Sequence, residues 1–116
     1  MKTRRGCRTA PAALALWALS ALTLALPVLA QDAKAGRQKA QPCTVCHGAN
    51  GLSQQPDAPS LAGQPAYYLG SQLRAYRSGE RRHEVMAVMA KALSDEDIAN
   101  LAAWFASIRI EAHLPR

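Results

Sequence analysis

The sequence predicts an all-α chain of short helices joined by long loops, and three observations carry that prediction. No stretch alternates apolar and polar residues with period two, so no strand is expected. Residues recur at helical spacing in two stretches instead: Tyr68, Leu69, Gln72, Leu73 and Tyr76, then Ile98, Leu101, Ala102, Phe105 and Ile108. Between such stretches the chain is cut by turn residues. Gly48 to Leu61 gathers Gly, Asn, Ser, Pro and Asp and reads as loop.

Residues 1–30 stand apart. Lys2, Arg4, Arg5 and Arg8 form a positive start without an acid, Ala12 to Leu29 is almost wholly apolar, and Val28-Leu29-Ala30 ends on a small residue. This is the layout of a secretory signal peptide, with cleavage expected after about Ala30 and export to the periplasm. An uncleaved membrane anchor is the alternative. The apolar run is barely long enough to span, is rich in Ala and is broken by Pro27. Arg4-Arg5 suggests a twin-arginine signal, but Gly6-Cys7-Arg8 does not continue that pattern. Cys7 precedes the apolar run, so it is not a lipid-attachment cysteine.

Removing 30 of the 116 residues leaves 86, expected to form one domain over residues 31–116. Four of the fourteen basic residues leave with the leader, so ten remain against eight acids and the net charge falls from +6 to +2. No basic stripe interleaved with aromatics remains, which excludes nucleic acid as a partner. The periplasm oxidises thiols, and Cys43 and Cys46 are the two cysteines left in it. Three positions apart, they would close too small a loop for a disulfide to constrain the unfolded chain much.

Taken in order, Asp32 caps a first helix over Ala33 to Lys39 or a little beyond. Pro42 ends or kinks it and opens a new turn bearing Cys43 to His47. After the loop, Gly63-Gln64-Pro65 starts the next helix, with Pro65 near its first position and Gly79 as its stop. Glu80 to Glu84 is a loop, and Val85 to Ala92 a short helical stretch. Ser94-Asp95-Glu96-Asp97 is a capped, acid-rich helix start, and the last helix runs from Asp95 to Arg109 with Trp104 beside its apolar face. So small a set of short helices buries little, and such domains usually need a staple.

Cys43, Cys46 and His47 fall at i, i+3 and i+4, one face of a helical turn. Two sulfurs and one imidazole can thus approach one side of a flat ligand. A haem fits: each thiol adds across a vinyl group to give a thioether, and the imidazole binds the iron. C-x-x-C-H is the sequence signature of c-type haem attachment. Zinc would want four ligands in a tetrahedron, with His83 and His113 the remaining nitrogen donors. A thioredoxin-like redox pair would want a β-α-β surround.

The segments "CTVCHGANG", "APSLAGQPAYYLGSQLRAYRSG" and "MAVMAKALSDEDIANLAAWFASI" resemble the small bacterial class I cytochromes c of the c4 and c-553 type. The resemblance covers about Asp32 to Ile108. It implies the class I cytochrome c fold wrapped around one covalently attached haem c, with iron held by His and Met together. Met86 and Met89 are the candidates for the sixth ligand. Met89 makes an apolar stripe with Val85 and Leu93, as a core residue would, whereas Met86 begins its segment just after a polar loop. The resemblance favours Met86, which lies where family members carry the ligand, seven residues before the Leu of "LSDEDI". His83 is a third candidate.

The resemblance also implies that the carbonyl of Pro59 accepts from the ligand His47 and that Leu61 packs on the porphyrin face. Gly36 and Trp104 resemble the close contact of first and last helices in this fold, where Gly lets an aromatic ring near the backbone. Gln64, Tyr68, Gln72 and Arg81 or Arg82 could bond the haem propionates. Arg74, Arg77, Arg81 and Arg82 form a basic run, either a solvated face or a dock for an acidic redox partner.

The function expected is periplasmic one-electron transfer between redox-protein donors and acceptors, with transient docking at membrane redox complexes. With both axial positions filled, no small-molecule substrate binds the iron and no enzyme activity is expected. Three other readings share the haem: a subunit of a dehydrogenase or sulfur-oxidising complex, a ligand-binding or sensing protein with a labile sixth ligand, and a haem peroxidase.

Overall fold

The computed structural model describes residues 31–115. The expected leader and its cleavage point lie outside the described residues. Five α-helices follow one another: α1 (Ala33–Lys39), α2 (Thr44–His47), α3 (Ala66–Ser78), α4 (Glu84–Lys91) and α5 (Asp95–Ser107). A 3-10 turn (Gln41–Cys43) joins α1 to α2, and no strand occurs among the described residues.

Each boundary has a local cause. Asp32 Oδ1 accepts from the amides of Lys34 at 2.8 Å and Ala35 at 3.1 Å, which caps α1. Pro42 sits in the opening of the 3-10 turn, where a missing N–H is tolerated. Pro65 stands just before α3, and Gly79, left-handed at φ 83°, ends it. α4 begins one residue earlier than its apolar pattern suggests, because His83 caps it. In α5, Ser94 and Asp97 bond each other's amides at 3.0 Å in both directions, a capping box, with three acids in the first turn. α5 stops at Ser107, two residues short of Arg109, because Ile108 turns extended.

α5 is the axis of the packing: α1 and α3 lie against it, and α4 reaches the body only through α3. Ala40, Leu69, Leu101, Ala102 and Phe105 form the buried cluster, with Leu61, Leu73, Leu93, Trp104 and Ile108 half-buried against it. Ile98 and Leu101 are the largest side chains withdrawn almost completely from solvent. That is a thin core for 85 residues.

The α1–α5 contact requires Gly36. A Cβ there would lie 1.9 Å from the Asn100 carbonyl oxygen and 2.9 Å from Trp104 Cβ. The nearest partner is therefore the backbone of α5, with the Trp104 side chain beside it. The indole lies under the Arg37 guanidinium, 5.4 Å from the ring centroid. Asn100, which periodicity did not single out, is buried and accepts from the Asp32 amide at 2.8 Å, tying the start of α1 to α5. Two ion pairs close the outside: Lys39 with Asp97 at 3.0 Å, and Arg77 with Asp95, the same guanidinium also donating to the Leu93 carbonyl at 2.9 Å.

Gly36→Ala should lower stability by about 1–3 kcal/mol in urea unfolding, since only backbone movement can relieve the clash. Gly70→Ala, inside α3 and facing only the mobile Arg74 guanidinium at 3.3 Å, should raise it by about 0.5–1 kcal/mol.

Hydrogen bonding to Ser94 and then to Lys39 holds the Asp97 carboxyl below its ordinary value, and Arg77 does the same for Asp95. A depressed native value stabilises the fold above the ordinary carboxylate range, and that stability is lost as pH falls through the native value. Asp97→Asn should therefore be less stable than the native chain at neutral pH and should lose less stability on acidification below about pH 4.

Candidate haem site

A cleft of about 700 Å³ opens in the face that the thin core leaves uncovered. Cys43, Cys46 and His47 line one part of it, from the 3-10 turn and α2, and Met86 and Met89 line another, from α4. α2 and α4 make no contact with each other, so the cleft lies between them. Leu69 and Leu73 of α3 and Leu101 and Phe105 of α5 make much of the remaining wall apolar.

His47 is buried, and its Nδ1 lies 2.7 Å from the Pro59 carbonyl oxygen. Nδ1–H is then the donor, which leaves Nε2 as the nitrogen with a lone pair for a metal. The intervening loop is built to make this contact. Gly48 and Gly51 both take positive φ, at 84° and 71°. Gly51 then accepts from the amides of Leu61 at 2.7 Å and Ala62 at 3.0 Å. Ser53 Oγ donates to the Cys46 carbonyl at 2.9 Å, and Gln55 Nε2 to the Val45 carbonyl at 3.2 Å. Those carbonyls belong to the last turn of α2 and would otherwise lack partners. Sequence reasoning missed Ser53 and Gln55, whose one signal is a polar pair following a short helix.

Cys43 and Cys46 are half-buried in the cleft wall and form no disulfide with each other. Before the haem is attached, burial holds the Cys43 thiol above its ordinary value. A protonated thiol already carries both the sulfur and the hydrogen that addition to a vinyl group consumes. Leu61 is half-buried, packs against the core and also lines the cleft.

The two methionines end closer together in role than their pattern suggests. Val85, Met89 and Leu93 do form a stripe that lines the cleft, and of the three only Leu93 also packs against the core; Val85 and Met89 are 55% and 37% exposed. Met86 is half-buried. His83, expected to be a solvated loop residue when not a ligand, is the cap of α4. Of the two arginines considered for the propionates, Arg81 lines the cleft and Arg82 does not. Arg81 donates to Gln72 Oε1 and stacks over Tyr76, 4.7 Å from the ring centroid. With Arg77 engaged by Asp95, Arg74, Arg81 and Arg82 are what the basic run leaves without an ion-pair partner among the described residues, and Arg81 is held instead by Gln72 and Tyr76.

These residues fit a haem and do not fit the alternatives. No cluster of three or more His, Cys, Asp or Glu side chains gathers to hold a metal ion among the described residues, which leaves zinc without a ligand set. The absence of strands there removes the thioredoxin surround. A broad apolar cleft with two thiols and one oriented imidazole suits a flat hydrophobic cofactor attached through sulfur.

Comparison with known proteins agrees. The family model for cytochrome c matches residues 33–109. The chain is 47% identical over 81 residues to cytochrome c-554(548) of Halomonas halodenitrificans, covering 67% of this chain and 98% of that protein. It is 41% identical over 69 residues to a thiosulfate dehydrogenase electron acceptor of Stutzerimonas stutzeri, covering 57% of this chain and 32% of that one. The reduced recombinant cytochrome c4 of Pseudomonas stutzeri superposes with a TM-score of 0.65 at 38% identity, covering 69% of this chain and 47% of that one. The chain thus spans almost all of the first relative and half or less of the other two. It belongs to the cytochrome c family, and its cofactor is a covalently attached haem c.

Proposed function

We propose that this chain is a periplasmic one-electron carrier in which Cys43 and Cys46 form the thioethers and His47 and Met86 hold the iron from its two sides. The observation that carries the reading is the pairing of an oriented imidazole with a thioether side chain across one cleft, on helices that do not touch. The haem supplies an Fe(III)/Fe(II) couple. The chain supplies the rest. The Pro59 carbonyl fixes the tautomer and direction of His47 and makes its free nitrogen a better donor. The Met86 sulfur favours the reduced state and raises the potential. Leu61, Leu69, Leu73, Leu101 and Phe105 keep water from the cleft, which also disfavours the more highly charged oxidised state.

If His47 and Met86 both hold the iron, the chain would leave no place there for a substrate, so the proposal is a carrier and not an enzyme. Its partners are redox proteins that give and take electrons, including membrane complexes at which it docks transiently. The layout of residues 1–30 supports export with cleavage after about Ala30, leaving residues 31–116 as one mono-haem domain. A second reading, a haem subunit of a sulfur-oxidising or dehydrogenase complex, is favoured by the likeness to a thiosulfate dehydrogenase electron acceptor. Native size exclusion separates the two: a free carrier elutes alone.

Ferric Met86→Ala should lose the methionine–iron charge-transfer band, and its ferrous form should bind carbon monoxide. Met89→Ala should keep the band and exclude carbon monoxide. A band that survives in Met86→Ala contradicts the assignment. Cys43→Ala and Cys46→Ala should each retain colour through denaturation and extraction with acidified organic solvent, and only the double variant should release it.

A further inference from the structure

His83 occupies an unusual post. Helix N-caps are ordinarily Ser, Thr, Asp or Asn, whose side-chain oxygen accepts from the second or third amide of the helix. Here an imidazole does so: Nδ1 of His83 accepts from the Met86 amide at 3.3 Å. With Nδ1 accepting, the ring proton sits on Nε2. Met86 is the third residue of α4, so the amide held is that of the residue proposed to reach the iron.

The ring of His83 is itself held. Its edge meets Tyr76 with centroids 6.3 Å apart and planes at 76°, an edge-to-face contact. Arg81 lies over the Tyr76 ring, bonded through its guanidinium to Gln72 and through its amide to the Ala75 carbonyl at 3.0 Å. The end of α3 thus grips the cap of α4. This grip matters because α4 touches no helix except α3. An Asp would cap equally well but would add a fixed negative charge to the cleft wall, which His83 also lines.

We propose that His83 is the positioning residue for the sixth ligand: its capping bond fixes the first turn of α4 and with it the place of the Met86 side chain. The proposal rests on the reading that Met86 binds the iron. In that role His83 never touches the iron. It sets how readily the methionine side gives way to an outside ligand.

The test compares His83→Ala, His83→Phe and His83→Asn in the haem-loaded protein, by amide hydrogen exchange at Met86 and by cyanide titration of the ferric form. Asn restores a capping acceptor without a ring; Phe keeps a ring against Tyr76 without an acceptor. His83→Ala and His83→Phe should both speed exchange of the Met86 amide and tighten cyanide binding about fivefold, the size of a typical lost cap. His83→Asn should match the native protein in both. Equal cyanide affinity in all four proteins overturns the proposal. So does loss of the low-spin spectrum in His83→Asn, which would make His83 a ligand. Met86→Ala is the control for the underlying reading: a charge-transfer band retained there refutes the ligand assignment whatever the His83 variants do.

Discussion

The structure depends on a gap. α2 and α4 face one cleft without touching, and the two helices with firm side-chain packing, α1 and α5, leave that face uncovered. A chain that folded for its own sake would close it. Leu73, Val85 and Met89 instead point into it. Exposing apolar surface costs roughly 25 cal/mol per Å², so an open cleft of this kind is stable only when something apolar fills it. The covalent haem does so, and under the proposed ligation by His47 and Met86 it would also link the two helices that the polypeptide leaves apart. Cofactor and core are the same object here, and that is how so few fully buried side chains suffice.

What surrounds the gap is rigid. Gly36 brings α1 within van der Waals contact of the α5 backbone, and Asn100 ties the start of α1 to the same helix. Ser94 and Asp97 fix the start of α5. Ser53, Gln55 and Gly51 stitch the loop that brings Pro59 to His47. Little of this lines the cleft itself, yet it fixes the elements that carry the residues proposed to hold the iron. A carrier gains from that arrangement. When ligands and their supports stay in place between oxidation states, little nuclear rearrangement opposes electron transfer.

The sequence was most legible where chemistry and spacing coincide. Cys43, Cys46 and His47 lie together in the cleft wall as their spacing requires, and the start of α5 follows from Ser94 and its acids. Pro59 was legible only through family resemblance, since nothing local marks one loop carbonyl out from another. Asn100 and Ser53 were not legible at all. Their partners are the Asp32 amide and the Cys46 carbonyl, and no side-chain pattern reveals a backbone partner. The stripe of Val85, Met89 and Leu93 had the right period, but it reaches the core only through Leu93 and otherwise lines the cleft. Periodicity reports that a face is apolar and cannot say whether protein or cofactor covers it. The capping role of His83 was not legible for a related reason: a cap is usually recognised by its oxygen, and this one uses nitrogen.

The central claim is that the haem completes the interior. Urea unfolding of the same chain with and without its haem, followed by far-ultraviolet circular dichroism, tests it most directly. The haem-bearing protein should unfold in one cooperative transition, and the haem-free chain should show a gradual, non-cooperative loss of a smaller helical signal. A haem-free chain that unfolds cooperatively at the same midpoint would contradict the account.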